Sequence, residues 1–288
     1  AAFIFHISDT DGLARRGAMT TAHGVVETPA FMPVATQGAV KTLTQKQVEE
    51  LGTQIVLSNT YHLMLRPGAE RVASLGGLHG MMAWPKPILT DSGGFQVASL
   101  AALRRIDDEG VIFRSHLDGS LHALSPEKAV EIQEKLGSDI AMVLDECLLY
   151  PSERDAVQKA TERTSAWARR CLKAKSREEQ ALFGIVQGGV YEDIRRDHAK
   201  ELAELDSEPV GKPSRLASLA MKLLGDESRQ LKPETTPTND KRNPSLSFEV
   251  AELLSRPRSP RSPASSSRNK TRQDGTSSGS SERGKTKS

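Results

Sequence analysis

Short, uniformly apolar segments alternate with amphipathic segments along the first 206 residues. The apolar segments are Ile55–Leu57, Ile88–Leu89, Ile140–Leu144 and Leu182–Val186. Their shortness and β-branched residues predict buried strands. Between them, apolar residues recur at helical spacing, as at Ala129, Val130, Ile132 and Leu136 or in the stripe from Val157 to Cys171, which predicts amphipathic helices. Strands that are apolar throughout and followed by helices predict an α/β protein with a parallel sheet.

Local signals mark the ends of several elements. Thr44 and Gln47 form a capping-box pattern at the start of one helix, and Ser125-Pro126 predicts the start of another. Asp118-Gly119, inside the alternating segment Val111–Leu124, predicts a β-hairpin. About five strand–helix units fit either an open doubly wound sheet or a (β/α)8 barrel, and periodicity does not separate these two architectures.

Composition changes after Asp206. The remaining 82 residues contain 17 Ser, 8 Pro and one aromatic residue, Phe248, and they carry a net charge of +7, whereas residues 1–206 carry −5. So little apolar surface does not offset the entropy of ordering. We therefore predict two parts: an α/β domain over 1–206 and a disordered, Ser/Pro/Arg-rich tail over 207–288. The basic tail is either a weak, non-specific RNA contact or a solvated linker.

Cysteine content and hydropathy favour a cytoplasmic protein. Cys147 and Cys171 are the two cysteines, which is too few for a disulfide framework and favours a reducing compartment. No apolar run reaches the length of a membrane span, and the N-terminus lacks a signal-peptide pattern. Because the sequence does not begin with Met, an upstream targeting segment remains open.

Polar side chains follow three of the predicted strands. Residues 89–96 include Asp91, Ser92, Gly93, Gly94 and Phe95; Asp145 follows the strand at 140–144; and Gln187 and Gly188 follow the strand at 182–186. Each alone is more often a structural cap of a turn. Because ligands bind at the carboxyl ends of parallel strands, the three together predict one site. A carboxylate beside a carboxamide suits the donor and acceptor edge of a purine.

Other polar residues carry weaker signals. His62, in the polar segment after the strand at 55–57, is interpreted as a partly buried, satisfied histidine. Cys147 has no nearby His in its motif, so it is interpreted as a small lining residue rather than a nucleophile. The seven His and two Cys show no metal-ligand spacing, and the residues themselves therefore predict no metal site.

The ordered set of motifs closely resembles the tRNA-guanine transglycosylases, also called queuine tRNA-ribosyltransferases. The matching segments are residues 23–24, 28–34, 59–63, 65–68, 77–79, 89–96, 115–119, 124–127, 136–140, 145–147 and 183–189. This resemblance covers residues 3–206.

The resemblance implies a (β/α)8 barrel that exchanges guanine at the tRNA wobble position for a 7-deazaguanine in queuosine biosynthesis. It implies a double displacement in which one Asp attacks the ribose C1′ and forms a covalent ribosyl-enzyme intermediate. A second Asp, here Asp91, transfers protons. Asp145 and Gln187 correspond to residues that recognise the base, and Phe95 to the aromatic residue that stacks on it. Asp145-Glu146-Cys147 resembles the bacterial pattern, which implies 7-aminomethyl-7-deazaguanine rather than queuine.

The chain departs from the family pattern after Asp206. The segment that carries the nucleophile and the Cys-x-Cys-x-x-Cys plus His zinc motif have no counterpart there, and Asp226, Asp240 and Asp274 lie in polar contexts that do not identify a nucleophile. We therefore expect an incomplete barrel that is inactive alone and for which the dimers of the family are doubtful. The alternatives are a non-catalytic deazaguanine- or RNA-binding regulatory fragment, and a chain whose end is a gene-prediction artefact.

Overall fold

The computed structural model describes residues 3–100 and 104–205. The predicted tail at 207–288, together with Asp226, Asp240 and Asp274, lies outside these residues. No helix in the described ranges is long and apolar enough to cross a membrane.

A parallel sheet lies at the centre of the described chain. Its four strands there are β4 (Val56–Ser58), β5 (Ile88–Thr90), β9 (Ile140–Met142) and β10 (Ala181–Phe183). They are ordered β4-β5-β9-β10, and Val34 adds a parallel bridge to Leu57 outside β4. The spatial order follows the chain order, whereas a doubly wound sheet reverses direction at a switch point. The predicted mixed α/β class with a parallel sheet is therefore confirmed, and the order favours a barrel.

The strands are buried on both sides, which explains their uniformly apolar sequences. On one side, Ile88, Ala141 and Leu182 join a core that includes Leu136 and Trp167 of the helices at Pro126–Leu136 and Arg154–Ala174. On the other side, Leu89, Ile140 and Ala181 pack with side chains of the first 26 residues: Phe3, Phe5, Met19 and Val26. Each fully buried aliphatic or aromatic side chain stabilises the fold by about 1.5–3 kcal/mol.

The helices confirm the predicted capping signals. Thr44 forms the capping box with Gln47, and Ser125 accepts a hydrogen bond from Lys128 N–H, with Pro126 as the first helical residue. The helices of the described residues are α1 (Gln45–Glu50), α2 (Thr60–Leu65), α3 (Ala69–Ser74), α4 (Gly77–Met82), α5 (Gly94–Leu100), α6 (Pro126–Leu136), α7 (Arg154–Ala174) and α8 (Glu192–Leu205).

Two antiparallel sheets flank the parallel strands in the described residues. The N-terminal sheet contains β1 (Ile4–Asp11), β2 (Ala14–Thr21) and β3 (Gly24–Thr28), none of which the sequence analysis predicted. The second contains β6 (Arg104–Asp107), β7 (Gly110–Arg114) and β8 (Leu121–Leu124). The hairpin predicted at Asp118-Gly119 joins β7 to β8 and is confirmed, with Gly119 in the left-handed region at φ 74°.

Candidate active site

The carboxyl ends of β5, β9 and β10 bring three predicted site residues together. Asp145, which follows β9, accepts a hydrogen bond from Ser92 Oγ at 2.8 Å and a second from Gln187 Nε2 at 2.7 Å. Only 7% of the Asp145 surface is exposed. Ser92 follows β5 and Gln187 follows β10, so one buried carboxylate joins the tips of three neighbouring strands.

Asp91 lies beside this array in a dense cluster of donors. Its Oδ1 accepts hydrogen bonds from the backbone N–H groups of Thr60 and Gly93 at 2.9 and 3.2 Å. Its Oδ2 accepts from Asn59 Nδ2 at 2.5 Å and from Gln96 Nε2 at 2.9 Å. Asn59 and Gln96 lie within segments that the sequence analysis singled out, but their role in holding Asp91 was not predicted. The four donors fix the orientation of the Asp91 carboxylate.

Both carboxyl groups have raised pKa values. Burial raises the pKa of Asp145 to about 6, and the charge of Asp91 adds to the shift, against the hydrogen bond from Ser92. Burial also raises the pKa of Asp91, although hydrogen bonds from Asn59, Thr60 and Gln96 oppose it. A buried pair of carboxyl groups with raised pKa values is suited to accepting and returning protons near neutral pH.

The glycines of the 89–96 segment are required by close backbone approach. A Cβ on Gly94 would lie 2.6 Å from the Asp145 carbonyl oxygen and 2.8 Å from its Oδ1. Gly93 has φ 85°, a left-handed conformation that favours glycine. At the tip of β10, Gly188 has φ 117°, and a Cβ there would lie 2.7 Å from the Arg195 backbone nitrogen. Any larger residue at 94 would displace Asp145.

The backbone of Gln187 is bound by His198, a residue that was not predicted to belong to the site. Its backbone N–H donates to His198 Nδ1 at 2.8 Å, and His198 on α8 is 2% exposed. Burial lowers the pKa of His198, which favours the neutral ring that can accept this bond. In the sequence, His198 lies on the buried face of α8 with Ile194, Leu202 and Leu205, and this position gives no sign of the contact.

The remaining predicted residues lie around the same site. Phe95, on α5, is 55% exposed, so its ring is available to stack on a ligand. Cys147 is partly buried. His62 is partly buried and packs edge-on against the rings of Tyr61 and His116.

The cysteines do not fit the zinc site that the resemblance implies. That site requires three thiolates, whereas the sequence has two cysteines. Cys171 is fully buried in the core, where burial raises the pKa of its thiol to about 12. No step is therefore assigned to zinc at these cysteines. One cluster of His and Asp side chains in the described residues, His23, His79 and Asp139, has the composition of a metal site and lies at the other end of the strands.

Comparison with known proteins identifies the family. A sequence model described as queuine tRNA-ribosyltransferase matches residues 9–238. The queuine tRNA-ribosyltransferase of Pelotomaculum thermopropionicum is 58% identical over 204 residues, 71% of this chain and 55% of that protein. The queuine tRNA-ribosyltransferase of Herpetosiphon aurantiacus is 50% identical over 242 residues, 84% of this chain and 61% of that protein.

The extent of these matches bears on the organisation of the chain. The chain spans about half the length of the curated relatives it matches. The family match runs to residue 238, past the boundary predicted at 206 and into residues outside the described ranges, so the boundary stays a prediction. Because the family model and these relatives match most of its sequence, the chain belongs to the queuine tRNA-ribosyltransferase family.

Proposed function

We propose that this chain carries the base-recognition site of a tRNA-guanine transglycosylase, a pentosyltransferase that exchanges guanine at the tRNA wobble position for a 7-deazaguanine. The observation that carries the proposal is the buried Asp145 carboxylate, hydrogen-bonded to Ser92 and Gln187 beside a second carboxyl group, Asp91. We further propose that these four parallel strands belong to an incomplete (β/α)8 barrel of about five units, which their sequential order supports.

Asp145 is suited to the N1–H and exocyclic amino groups of guanine. Each oxygen of an ionised carboxylate accepts more than one hydrogen bond, so the bonds from Ser92 and Gln187 leave acceptor capacity for two ligand donors. Adenine lacks the N1–H donor and is expected to bind poorly. The missing Cβ at Gly94 lets its backbone lie against Asp145 without displacing the carboxylate. The exposed ring of Phe95 offers a stacking surface.

Asp91 is the proton-transfer residue of this proposal. When the bond between ribose C1′ and guanine N9 breaks, its electron pair leaves with the base, which takes up a proton. When the incoming deazaguanine forms the new C1′ bond, its N9 proton must be removed. One carboxyl group with a raised pKa can donate in the first half and accept in the second.

The double displacement also needs an attacking carboxylate that holds the ribose between the two halves. None of the described residues is assigned this role, and Asp226, Asp240 and Asp274 lie outside them. We therefore expect the 288-residue chain to bind the free base and not to exchange it into tRNA alone. A non-catalytic base-binding role is the alternative, and it shares the same pocket. We propose tRNA and a paired subunit as partners of the whole enzyme, not of this chain alone.

Calorimetric titration at pH 7.5 with 7-aminomethyl-7-deazaguanine tests the proposal. We expect saturable binding to the chain, similar binding of guanine, and no binding of adenine. E50Q, on the exposed end of α1, is the matched control and should bind like the wild type. No binding of either guanine-type base, or equal binding of adenine, would contradict the proposal. A parallel incubation with cognate tRNA and labelled guanine tests the expected inactivity of the chain alone. We expect no incorporation of label, and exchange at the normal rate would contradict it.

A further inference from the structure

Three side chains meet at the amino end of the parallel strands, opposite the candidate active site. Asp139 immediately precedes β9, His23 lies in the turn between β2 and β3, and His79 lies on α4. One potential ligand atom from each lies within 4.8 Å of the others. His23 Nδ1 is 2.8 Å from Asp139 Oδ1, and His79 Nε2 is 3.2 Å from Asp139 Oδ2. The cluster therefore joins the N-terminal sheet, α4 and the parallel sheet.

The backbone fixes the Asp139 carboxylate independently of the two rings. Its Oδ1 accepts from the His23 N–H at 3.1 Å, and its Oδ2 accepts from the Ile88 N–H at 2.9 Å. The side chain is fully buried. Because each oxygen can accept a further bond, both keep a lone pair for a ligand between the rings. Backbone bonds of this kind orient the carboxylates that ligate metal ions.

His79 Nε2 lies next to this carboxylate. Its Nδ1 lies 2.9 Å from the Trp84 carbonyl oxygen, and because a carbonyl only accepts, Nδ1 carries the proton. Its Nε2 is buried and has no hydrogen-bond partner among the described residues, although Asp139 Oδ2 is 3.2 Å away. A ring nitrogen this close to a carboxylate oxygen calls for a cation between them, which is either a proton on Nε2 or a metal ion.

The two imidazole rings are placed to share one metal ion with Asp139. The rings of His23 and His79 stack with their centroids 3.6 Å apart and their planes 21° apart, so both rings lie side by side next to the same carboxylate. Two imidazole nitrogens and one carboxylate oxygen are ligands that zinc and neighbouring divalent metals accept. The His79 bond to a backbone carbonyl is the usual support of a ligating histidine. The His23 side chain is 40% exposed, which leaves access for water as a further ligand.

We propose that His23, His79 and Asp139 form a binding site for a divalent metal ion of the zinc class. The ion would hold the N-terminal sheet against the amino end of the parallel strands. The base-recognition site lies at the opposite, carboxyl end of the same strands. The proposal revises the expectation of no metal site, which rested on the spacing of His and Cys alone. It uses none of the cysteines and does not depend on the proposed function.

Cobalt binding tests this proposal. The chain is first stripped with a chelator and then titrated with Co²⁺, while visible absorption reports nitrogen–oxygen coordination and added Zn²⁺ displaces the signal. We expect one equivalent to bind, and Co²⁺ or Zn²⁺ to raise the melting temperature. H23A and H79N should each weaken binding by about 100-fold or more, since changes to the supporting residues alone cost about 10- to 100-fold.

The variants are chosen so that misfolding does not hide the answer. H79N keeps a donor in the position of Nδ1 for the Trp84 carbonyl and loses Nε2, while H23A changes a partly exposed side chain. H6A removes an exposed histidine of the same sheet and is the control, expected to bind like the wild type. No saturable binding, undiminished binding in H23A, or equal loss in H6A would overturn the proposal. In those cases a shared proton, rather than a metal ion, would join the three side chains.

Discussion

The two ends of the parallel sheet each hold a buried aspartate, yet the pKa values of the two carboxyl groups are shifted in opposite directions. At the carboxyl end, burial raises the pKa of Asp145 to about 6. At the amino end, burial alone would raise the pKa of Asp139. The hydrogen bonds from His79, the Ile88 N–H and His23 outweigh the effect of burial and lower the pKa of Asp139 to about 2.

The difference lies in the partners, because both groups are buried. Asp139 is bound by two backbone N–H groups and faces two imidazoles, so its negative charge is compensated. Asp145 receives bonds from neutral side chains and lies near a second carboxyl group, so its charge is under-compensated. We infer that Asp139 supports the structure, whereas Asp145 remains free to respond to a ligand that brings the missing donors.

Replacing each aspartate by asparagine gives the largest expected contrast. D145N turns an acceptor oxygen into an N–H donor that faces the donors of the base, so the affinity for 7-aminomethyl-7-deazaguanine should fall by about 100-fold or more. D139N, at the opposite end, should leave this affinity within about twofold. Calorimetry at pH 7.5 measures both. Equal losses in the two variants would show that Asp145 has no special role in binding.

The same two variants should change stability in opposite directions. The folded-state pKa of Asp145, about 6, lies above its unfolded value, so its contribution to stability falls as pH rises from about 4 to about 6. D145N removes this cost and should raise the free energy of unfolding at pH 7.5 by about 1–3 kcal/mol, with no gain at pH 4.

D139N should lower the free energy of unfolding by about 1–3 kcal/mol, because one of the two backbone N–H groups loses its acceptor. Urea unfolding of metal-free protein measures both variants. Destabilisation of similar size in D145N and D139N at pH 7.5 would break the contrast between the two ends.

Base affinity should depend on pH through Asp145. The ionised carboxylate accepts from the base, and its pKa of about 6 predicts a constant affinity above about pH 7. Below pH 6, affinity should fall about tenfold for each pH unit as the carboxyl group takes up a proton. Calorimetry from pH 5 to pH 8 measures this. An affinity that stays constant across this range would contradict the assigned role of the ionised group.

The smallest expected effect is at His198, which supports Gln187. H198A removes the acceptor of the Gln187 N–H and should weaken base binding by about three- to tenfold through the loss of one buried hydrogen bond. H198N offers an oxygen near the position of Nδ1 and should restore most of the affinity. Equal behaviour of the two variants in calorimetry would remove the positioning role.

Much of this contrast could be predicted from the sequence at one end of the sheet and not at the other. The strands β5, β9 and β10 were predicted because they are apolar throughout, and the polar residues that follow them therefore converge. Asp91, Asp145 and Gln187 are brought together as expected. Their catalytic and binding roles remain proposals.

The N-terminal sheet and the Asp139 cluster were missed for physical reasons. The strands β1 and β2 carry charged residues such as Arg15 and Arg16 and lack the apolar runs of the central strands. Gly12, in the turn between them at φ 55°, follows Asp11 in an Asp-Gly pair that could have indicated the hairpin. His23, His79 and Asp139 come from three separate elements, so no local spacing reveals their contact.

A carbon-13 NMR titration of the aspartate carboxyl groups, with and without 7-aminomethyl-7-deazaguanine, tests the central claim most directly. The account predicts one resonance, assigned to Asp145 by its absence in D145N, with a pKa near 6 in the free protein and a pKa at least about one unit lower when the base is bound. A free-protein pKa of about 4, or a value that the base leaves unchanged, would contradict it.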